Sequence, residues 1–372
     1  MSDTLKRKVA VWGTGDVGHY ALRGILAHPD LELVAVRVWN PAKAGRDAGD
    51  LLGWDDVGVI ATTSTAEMLA ARPDCVVFVG PSRTVEPLPE LLDAGVNVVT
   101  LASAGLVHPP SWQHPLKADI EAACRRRGVS LFYGGIDPGW SAHTLPIVLS
   151  GICESIELMT IYEVRDYDPL PLHQLDYFNF GKPSAEGARF AKPGGIAHTW
   201  APALRLVADA VGLRLDEVTE FFETAPASEA FDVPAMHVAE STVAAARFGV
   251  SGIVDGVERL RIEHVNRLRR DIAPEWMLEQ GYGVSITGTP NYRLHLDLWD
   301  PTAKQQRPAL FGTAMYLVNA IPAVCDAAPG IRTILDLPYI TGRTFTSNMP
   351  LDNWTLSERI LGGQTRPASS SR

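Results

Sequence analysis

A glycine-rich turn near the amino terminus constrains the fold of this chain more than any other feature. Gly13-Thr14-Gly15-Asp16-Val17-Gly18 directly follows an apolar stretch, residues 8–12, and opens an amphipathic stretch, residues 19–27. In such a turn the first glycine allows the tight bend, the second lets the backbone approach a pyrophosphate, and the third lets helix and strand pack closely. The helix amino terminus then faces the phosphates. The pattern predicts a dinucleotide-binding turn; the alternative is a glycine-rich turn without ligand.

Short apolar strands alternate with helical segments through the first third of the chain. Strands are predicted at 31–39, 57–62, 75–79, 96–101 and 129–133, with helical segments between them at 65–71, 86–94 and 117–127. Such alternation is typical of βαβ units, which build a parallel sheet covered by helices on both faces. The predicted fold class is therefore α/β, a doubly wound Rossmann sheet.

The strict alternation ends after Gly134-Gly135. Helices predicted at 199–211 and 238–248 are mixed with long polar strands at 254–266 and 281–298, which indicates an open α+β sheet. An apolar helix is predicted at 309–327. We expect a dinucleotide-binding Rossmann domain over 1–138, an α+β domain over 139–308, a helix and segment returning to the Rossmann domain over 309–360, and a flexible tail over 361–372.

Charge and cysteine content exclude several classes of partner. The formal net charge of −10 argues against nucleic-acid and anionic membrane surfaces, because both are bound by clustered basic residues. No stretch reaches about 18 unbroken apolar residues. The four cysteines form no C-x-x-C pair, so neither a metal site nor a disulfide framework is expected; they are Cys75, Cys124, Cys153 and Cys325. We expect a cytoplasmic protein with free thiols.

The end of the second predicted strand bears on the choice of dinucleotide. An NAD site usually has an acidic residue there, which accepts the ribose hydroxyls, and this chain has none. Asn40, Lys43 and Arg46 could instead hold a 2′-phosphate, with Arg37 ranked after them. NADP(H) is therefore favoured, with NAD(H) as the alternative, in which Lys43 and Arg46 are ordinary solvated residues. Gly80 and Ser82, after the strand at 75–79, are also assigned to the cofactor.

Several motifs together resemble a known group of enzymes. Val11-Trp12-Gly13-Thr14-Gly15 and the segment at 40–49 resemble the dihydrodipicolinate-reductase-like group. Within it, they are most similar to the 2,4-diaminopentanoate dehydrogenases and the native NAD(P)H-dependent amine dehydrogenases. Gly135-Ile136-Asp137-Pro138-Gly139-Trp140 resembles the G-x-N-P-G-F turn of that group, and residues 318–325 with Leu335-Asp336-Leu337-Pro338 resemble its C-terminal part.

The resemblance implies a function as well as a fold. It implies a Rossmann domain with an α+β substrate and dimerisation domain, hence a homodimer. It also implies hydride transfer from a nicotinamide to an imine formed from a small ketone or aldehyde and an amine. In that family a glutamate after the fifth strand, in a T-x-E-E-L-x-x-P context, activates the amine, but the segment at 100–109 has no glutamate. A ketone or alcohol oxidoreductase without amine activation, or a cofactor-binding sensor, are the alternatives.

Hydride transfer also needs a proton donor, and four residues are candidates. Asp137, which replaces the asparagine of the family turn, could bind the nicotinamide amide or act as acid or base; alternatively it caps the following helix. His143 and His198 have the side chain that titrates near neutral pH, with surface or capping roles as the alternative. Ser103 could hydrogen-bond substrate or nicotinamide, or be an ordinary polar loop residue.

An aromatic segment at 173–181 could line an apolar substrate pocket. His173, Tyr177 and Phe178 are its candidate residues, and Ala104 and Trp140 are assigned to the same pocket. The alternative for the segment is a dimer contact or a satellite of the core. His264 and the arginines at 267–270 are interpreted as structural.

Overall fold

Two large β-sheets organise the part of the chain that the structure describes, and two further short strands pair with each other. The computed structural model describes residues 6–80, 84–166, 175–276, 279–298 and 307–343. The strands, in chain order, are β1 (Arg7–Trp12), β2 (Leu31–Arg37), β3 (Ala61–Thr62), β4 (Cys75–Phe78), β5 (Asn97–Thr100), β6 (Ser130–Tyr133), β7 (Ser155–Asp166), β8 (Glu217–Pro226), β9 (Phe231–Val233), β10 (Met236–Val238), β11 (Val243–Val254), β12 (Val257–Arg267), β13 (Gly281–Thr289), β14 (Tyr292–Leu296) and β15 (Gly330–Arg332).

The α-helices lie between and after these strands. In chain order they are α1 (Asp16–Ala27), α2 (Ala48–Leu52), α3 (Thr65–Ala70), α4 (Leu88–Asp93), α5 (Lys117–Arg127), α6 (Leu145–Ser150), α7 (Ala197–Ala210) and α8 (Arg307–Asp326).

The first sheet has seven strands in the order β15-β6-β5-β4-β1-β2-β3, and all neighbours are parallel. Its central strand β1 is apolar because both faces are covered. Val9 and Val11 pack toward α1 and α8, whereas Ala10 and Trp12 face the core that includes α4 and α5. This confirms the doubly wound Rossmann fold predicted from the alternation.

One predicted strand of this sheet is much shorter than expected. The stretch at 57–62 forms only the two residues of β3, because Asp47 organises the loop before it. The Asp47 carboxylate accepts hydrogen bonds from the amides of Gly49, Val57 and Gly58 at 2.7, 2.8 and 2.8 Å. Those amides are therefore turned toward one side chain and cannot join a neighbouring strand.

The second sheet is mixed, with six strands in the order β14-β13-β7-β12-β11-β8. Only the pair of β12 and β7 is parallel. Helix α7 packs against this sheet through buried residues that include Leu204 and Val207. The prediction of a Rossmann sheet with a second α+β unit is thus confirmed.

The helix predicted at 238–248 is wrong. Residues 243–254 form strand β11, which pairs with β8 on one side and β12 on the other. Ala244, Ala245 and Ala246 are fully buried there. Alanine favours helices in isolation, but pairing with strands on both sides outweighs that preference.

The last helix returns to the first sheet. Helix α8 is long and apolar enough to cross a membrane, but Leu317, Val318 and Ile321 are fully buried in the core shared with β1 and α1. Such packing is what a core helix shows. After it, β15 extends the first sheet beside β6. The predicted flexible tail at 361–372, and residues 344–360 before it, lie outside the described residues.

Candidate active site

The turn between β1 and α1 uses its three glycines for different reasons. Gly13 has a φ of +113°, and a Cβ there would lie 2.4 Å from the Val79 carbonyl oxygen. At Gly18 a Cβ would lie 1.9 Å from the Gly13 carbonyl oxygen, but at Gly15 it would meet nothing within 4 Å. Gly13 and Gly18 are therefore required by packing inside the protein. Gly15 leaves room at the amino end of α1, so the turn fits a pyrophosphate.

Three polar residues predicted to hold a 2′-phosphate are engaged with the protein itself. The Asn40 side chain accepts a hydrogen bond from the Ala42 amide at 3.0 Å. Lys43 Nζ donates to the carbonyl oxygen of Thr14 at 2.8 Å and so braces the glycine-rich turn. The exposed Arg46 pairs with Asp50 at 2.6 Å. These contacts explain each side chain without a ligand.

The remaining cofactor candidates surround the same edge of the sheet. Asp16 and Val17 form the first turn of α1. A Cβ at Gly80 would lie 3.1 Å from the Trp39 and Phe78 rings, so the chain after β4 passes close to the end of β2. Ser82 lies outside the described residues.

Asp137 connects the turn after β6 to the second sheet. Its Oδ2 atom accepts hydrogen bonds from Trp200 Nε1 at 2.9 Å and from His264 Nε2 at 2.8 Å. His264 Nε2 also lies 3.9 Å from the carboxylate of Glu163. The side chains of His264 and Asp137 are only 2% and 9% exposed. The Asp137 carboxylate thus serves side chains distant in sequence, and the alternative that it caps the following helix is wrong.

The charges around this pair set the protonation of His264. Burial by itself lowers the pKa of His264, but the charges of Asp137, Glu163 and Glu263 raise it, and the net pKa is above its ordinary value. Asp137, Glu163 and His264 are close enough to hold a metal ion. However, two N–H donors already occupy the Asp137 oxygen that faces His264.

His143 is not the neutral-pH proton donor that the sequence suggested. The residue is 1% exposed, and burial lowers the pKa of its imidazole to about 3, although the Asp137 charge acts in the other direction. Its Nδ1 atom lies 3.1 Å from Thr144 Oγ1, and that hydroxyl contacts the Tyr316 hydroxyl at 2.8 Å. At neutral pH the ring is uncharged and has no imidazolium proton to donate.

Ser103 and His198 line one cavity of about 440 Å³, together with Gln113, His114 and Arg205. His198 is exposed on α7, and Trp200, two residues later, points to Asp137. Two residues correspond to about 200° around a helix. The structure therefore brings His198 together with Ser103 but places it on a different face of α7 from the contact with Asp137.

The aromatic segment is mostly core. Phe178 is 1% exposed and packs against Phe180, Phe190 and Phe248, so its assignment to a substrate pocket is wrong. Tyr177 is half-buried and stacks on Phe190 with centroids 5.3 Å apart. The same cluster reaches His264, whose ring stacks on Phe248 at 5.0 Å. The aromatic segment thus belongs to the cluster that packs against His264, the partner of Asp137.

The other pocket candidates occupy separate places. Trp140 is half-buried and packs on the core of the first sheet. Ala104 begins the short helical turn at 104–107 after β5. His173 lies outside the described residues.

Comparison with known proteins decides the family. Residues 7–107 match the dihydrodipicolinate reductase N-terminus, and residues 141–349 match the 2,4-diaminopentanoate dehydrogenase C-terminal domain. An amine dehydrogenase of Streptomyces virginiae is 34% identical over 346 residues, which cover 88% of this chain and 95% of that protein. The chain belongs to the family of 2,4-diaminopentanoate dehydrogenases and amine dehydrogenases. It is therefore an NAD(P)-dependent oxidoreductase, as the resemblance implied.

A second relative and a solved structure are also similar to this chain. The 2,4-diaminopentanoate dehydrogenase of Acetoanaerobium sticklandii is 25% identical over 343 residues, which cover 90% of this chain and 94% of that protein. The structure of the amine dehydrogenase from Mycobacterium smegmatis superimposes with a TM-score of 0.72 at 23% identity, covering 91% of this chain and 97% of the other. The last comparison shows a shared fold.

Relative to the family pattern, the segment after β5 lacks its glutamate. Ser103 is 9% exposed, and Ala104 begins the turn that follows. A Cβ at Gly105 would lie 1.9 Å from the Trp112 ring. A glutamate at position 105 would therefore force Trp112 out of place.

From the sequence His264 is interpreted as structural, whereas its contact with Asp137 makes it a candidate site residue. A usable signal was present in β12, where Leu260, Ile262 and His264 alternate with polar or charged residues. Side chains two apart share one face of a strand, so the alternation places a histidine on an apolar, buried face. A buried histidine needs a polar partner, and here the partner is Asp137.

Proposed function

We propose that this family member reduces the C=N or C=O bond of a small imine or ketone with NADP(H). In this proposal His264, hydrogen-bonded to Asp137, donates the accompanying proton. The observation that carries the proposal is the buried hydrogen bond between His264 Nε2 and Asp137 Oδ2 at the carboxyl end of β6. Ligands of open α/β sheets bind at that edge. The nicotinamide, when bound, supplies or accepts the hydride.

Each part of the chain has a separate task in this proposal. The glycine-rich turn, braced by Lys43, holds the pyrophosphate at the amino end of α1. The Asp137 charge favours the imidazolium form of His264, and its Oδ2 atom accepts the hydrogen bond from Nε2. The Nδ1 atom of His264 is buried and without a hydrogen-bond partner among the residues that the structure describes. The proton on Nδ1 is therefore the one that can be donated to the developing nitrogen or oxygen.

The missing glutamate favours a second candidate, a ketone or alcohol oxidoreductase without amine activation. Deprotonating ammonium near neutral pH needs a base in contact with its nitrogen, and neither Ser103 nor Ala104 provides one. We expect reduction of ketones, or of preformed imines, to match or exceed reductive amination with ammonia. Oxidation of NADPH by a panel of small ketones, each with and without ammonium, measures the difference.

Position 104 allows a matched pair of variants for this test. Ala104→Glu should raise the amination rate about 10-fold or more, whereas Ala104→Gln, of the same size but without a base, should leave it unchanged. Efficient amination by the unmodified enzyme would contradict the account of the missing base. Cofactor binding without turnover of any ketone, imine or alcohol would instead favour the sensor alternative.

A further inference from the structure

Ser111, His108 and Asp209 form a continuous line of hydrogen bonds. Ser111 Oγ lies 2.8 Å from His108 Nδ1, and His108 Nε2 lies 2.9 Å from Asp209 Oδ2. Because an ionised carboxylate only accepts, Nε2 carries the ring proton, and Nδ1 of the neutral ring is left to accept from the Ser111 hydroxyl. A serine, a histidine that accepts its proton and a carboxylate that orients the histidine are the parts of an acyl-transfer triad.

Two elements hold this line in place. His108 precedes two prolines, and the short helical turn Pro109–Ser111 brings the Ser111 amide within 3.1 Å of the His108 carbonyl oxygen. The fixed φ angles of the prolines restrict that turn. Asp209 comes from the last turn of α7, and His108 between the two elements is buried. The serine and the histidine are therefore held close together by a short, restricted stretch of chain.

The Ser111 hydroxyl has a second neighbour, which is a poorer acceptor. Its Oγ atom lies 3.3 Å from the His108 carbonyl oxygen, which is long for a hydrogen bond between two oxygens. The distance of 2.8 Å to Nδ1 is an ordinary one. The hydroxyl proton is therefore directed at the nitrogen that would accept it in an acyl transfer.

Ser111 opens on a space that can take a small acyl compound. It lines the cavity of about 440 Å³ described above, together with His114 and Arg205. His114 Nδ1 accepts a hydrogen bond from the Leu116 amide at 3.2 Å, so Nε2 carries the proton of the neutral ring. Arg205 is a permanent cation. The cavity thus offers an N–H donor and a positive charge for the negative charge that develops on an attacked carbonyl oxygen.

This cavity lies apart from the Asp137–His264 pair. His198, Arg205 and Asp209 are spaced by 7 and 4 residues and so share one face of α7. Trp200, which donates to Asp137, lies on a different face of the helix. The line of hydrogen bonds ending at Ser111 is therefore a second constellation of reactive groups.

We propose that Ser111, His108 and Asp209 hydrolyse small carboxylic esters, an activity that goes beyond the proposed reduction and does not depend on it. Ser111 Oγ attacks the carbonyl carbon while its proton passes to His108 Nδ1, and Asp209 positions the imidazole. The bond from that carbon to the alcohol oxygen breaks, and His108 returns the proton to the leaving alcohol. Water then attacks the acyl-serine by the same route, so that one ester and one water give one acid and one alcohol.

Incubation of the full chain with 4-nitrophenyl acetate, without added nicotinamide cofactor, tests the proposal. Release of 4-nitrophenolate should show a burst of about one equivalent per chain, followed by slower turnover, as an acyl-enzyme predicts. Peptide mass spectrometry of the quenched wild type should find the acetyl group on Ser111. This measurement needs no variant, so it decides even where a substitution prevents folding. Acetylation of lysines alone would overturn the proposal.

Variants of the serine and the histidine separate catalysis from a structural role. Ser111→Ala should remove the burst, and Ser111→Ala or His108→Gln should lower the hydrolysis rate about 100-fold or more. Ser111→Cys keeps a nucleophile, so the acetyl group should still be found at this position. A folded Ser111→Ala variant that hydrolyses the ester at the wild-type rate would contradict the assignment.

Asp209 is a positioning residue, and its effect should be smaller. Its side chain is 58% exposed, so Asp209→Asn should lower the rate only about 5-fold, and Asp209→Glu should recover most of that loss. A loss of rate that tracks the unfolding temperature, without recovery in Asp209→Glu, would mean that the carboxylate only fastens the loop to α7.

Two matched controls account for reactivity that the triad does not cause. Ser150 Oγ donates to the Ile147 carbonyl oxygen at 2.7 Å in a similar turn, so Ser150→Ala should leave the burst unchanged. The exposed His237 pairs with Asp232 at 2.7 Å, and His237→Asn reports the hydrolysis that any accessible imidazole causes. A loss in either control equal to that in Ser111→Ala would overturn the proposal.

Discussion

At the scale of single residues, the Asp137–His264 pair joins the two sheets chemically. Asp137 belongs to the turn after β6, and His264 lies 127 positions later in β12. Trp200 Nε1 donates a second hydrogen bond to the same carboxylate oxygen, and the Trp200 ring packs against the His264 ring with centroids 4.4 Å apart. The pair is thus enclosed by aromatic surface, which strengthens its electrostatic interaction.

Replacing Asp137 should change both turnover and the pH dependence of stability. Asp137→Asn removes a charge that raises the pKa of His264, so the protonated ring is less favoured and turnover should fall about 100-fold or more. Because the pKa of His264 is higher in the folded than in the unfolded protein, protonation of His264 stabilises the fold fully below the unfolded pKa of about 6.5. This stabilisation is lost as the pH rises through the folded pKa. The variant should therefore lose about 2–4 kcal/mol of unfolding free energy at pH 5.5 and less at pH 8.5.

Urea unfolding at several pH values measures this effect, and the chain offers a matched control. His237 and Asp232 form a similar pair at 2.7 Å, but their side chains are 63% and 83% exposed. Asp232→Asn should cost less than about 1 kcal/mol at any pH. A loss in Asp137→Asn that is equal at all pH values would mean that only the hydrogen bonds matter, and not the charge on His264.

At the scale of elements, a substitution in the turn between β1 and α1 can weaken cofactor binding without unfolding the protein. Gly15→Val should weaken cofactor binding about 100-fold or more while the protein stays folded, because the side chain enters the place of the pyrophosphate. A Cβ there meets nothing within 4 Å in the protein. Calorimetry for the affinity and thermal unfolding for the fold make the test.

Substitutions at two other glycines are the controls for that result. At Gly342 a Cβ also meets nothing within 4 Å, so Gly342→Val should leave affinity and stability unchanged. Gly18→Val should destabilise the protein itself, because its Cβ would lie 1.9 Å from the Gly13 carbonyl oxygen. Near-native cofactor affinity in folded Gly15→Val would show that the turn is not the binding site.

At the scale of the whole molecule, α8 and β15 complete the sheet to which the first strand, β1, belongs. Helix α8 packs beside α1, and Leu317 is fully buried between them and the sheet. Leu317→Ala should lower the unfolding free energy by about 2–5 kcal/mol, the usual cost of such a cavity. Leu335→Ala, at a site 49% exposed, should cost less than about 0.5 kcal/mol. Similar costs in denaturant unfolding would mean that α8 is not part of the core.

The homodimer and the cytoplasmic location stay predictions from sequence and resemblance. Light scattering of the purified enzyme distinguishes one chain from two. If the enzyme is a dimer, its dissociation at low concentration should leave the first sheet intact. Within one chain α8 already packs on that sheet and β15 already pairs with β6.

The sequence by itself determined the Rossmann fold, the family and the position of the glycine-rich turn, because glycine spacing and strand–helix alternation are local patterns. Only the tertiary structure decided what depends on distant partners. Strand β11 exists because β8 and β12 flank it, against the preference of its alanines. His264 became a candidate site residue because it meets Asp137. Burial and pairing belong to neighbours in space, which residue type and spacing do not specify.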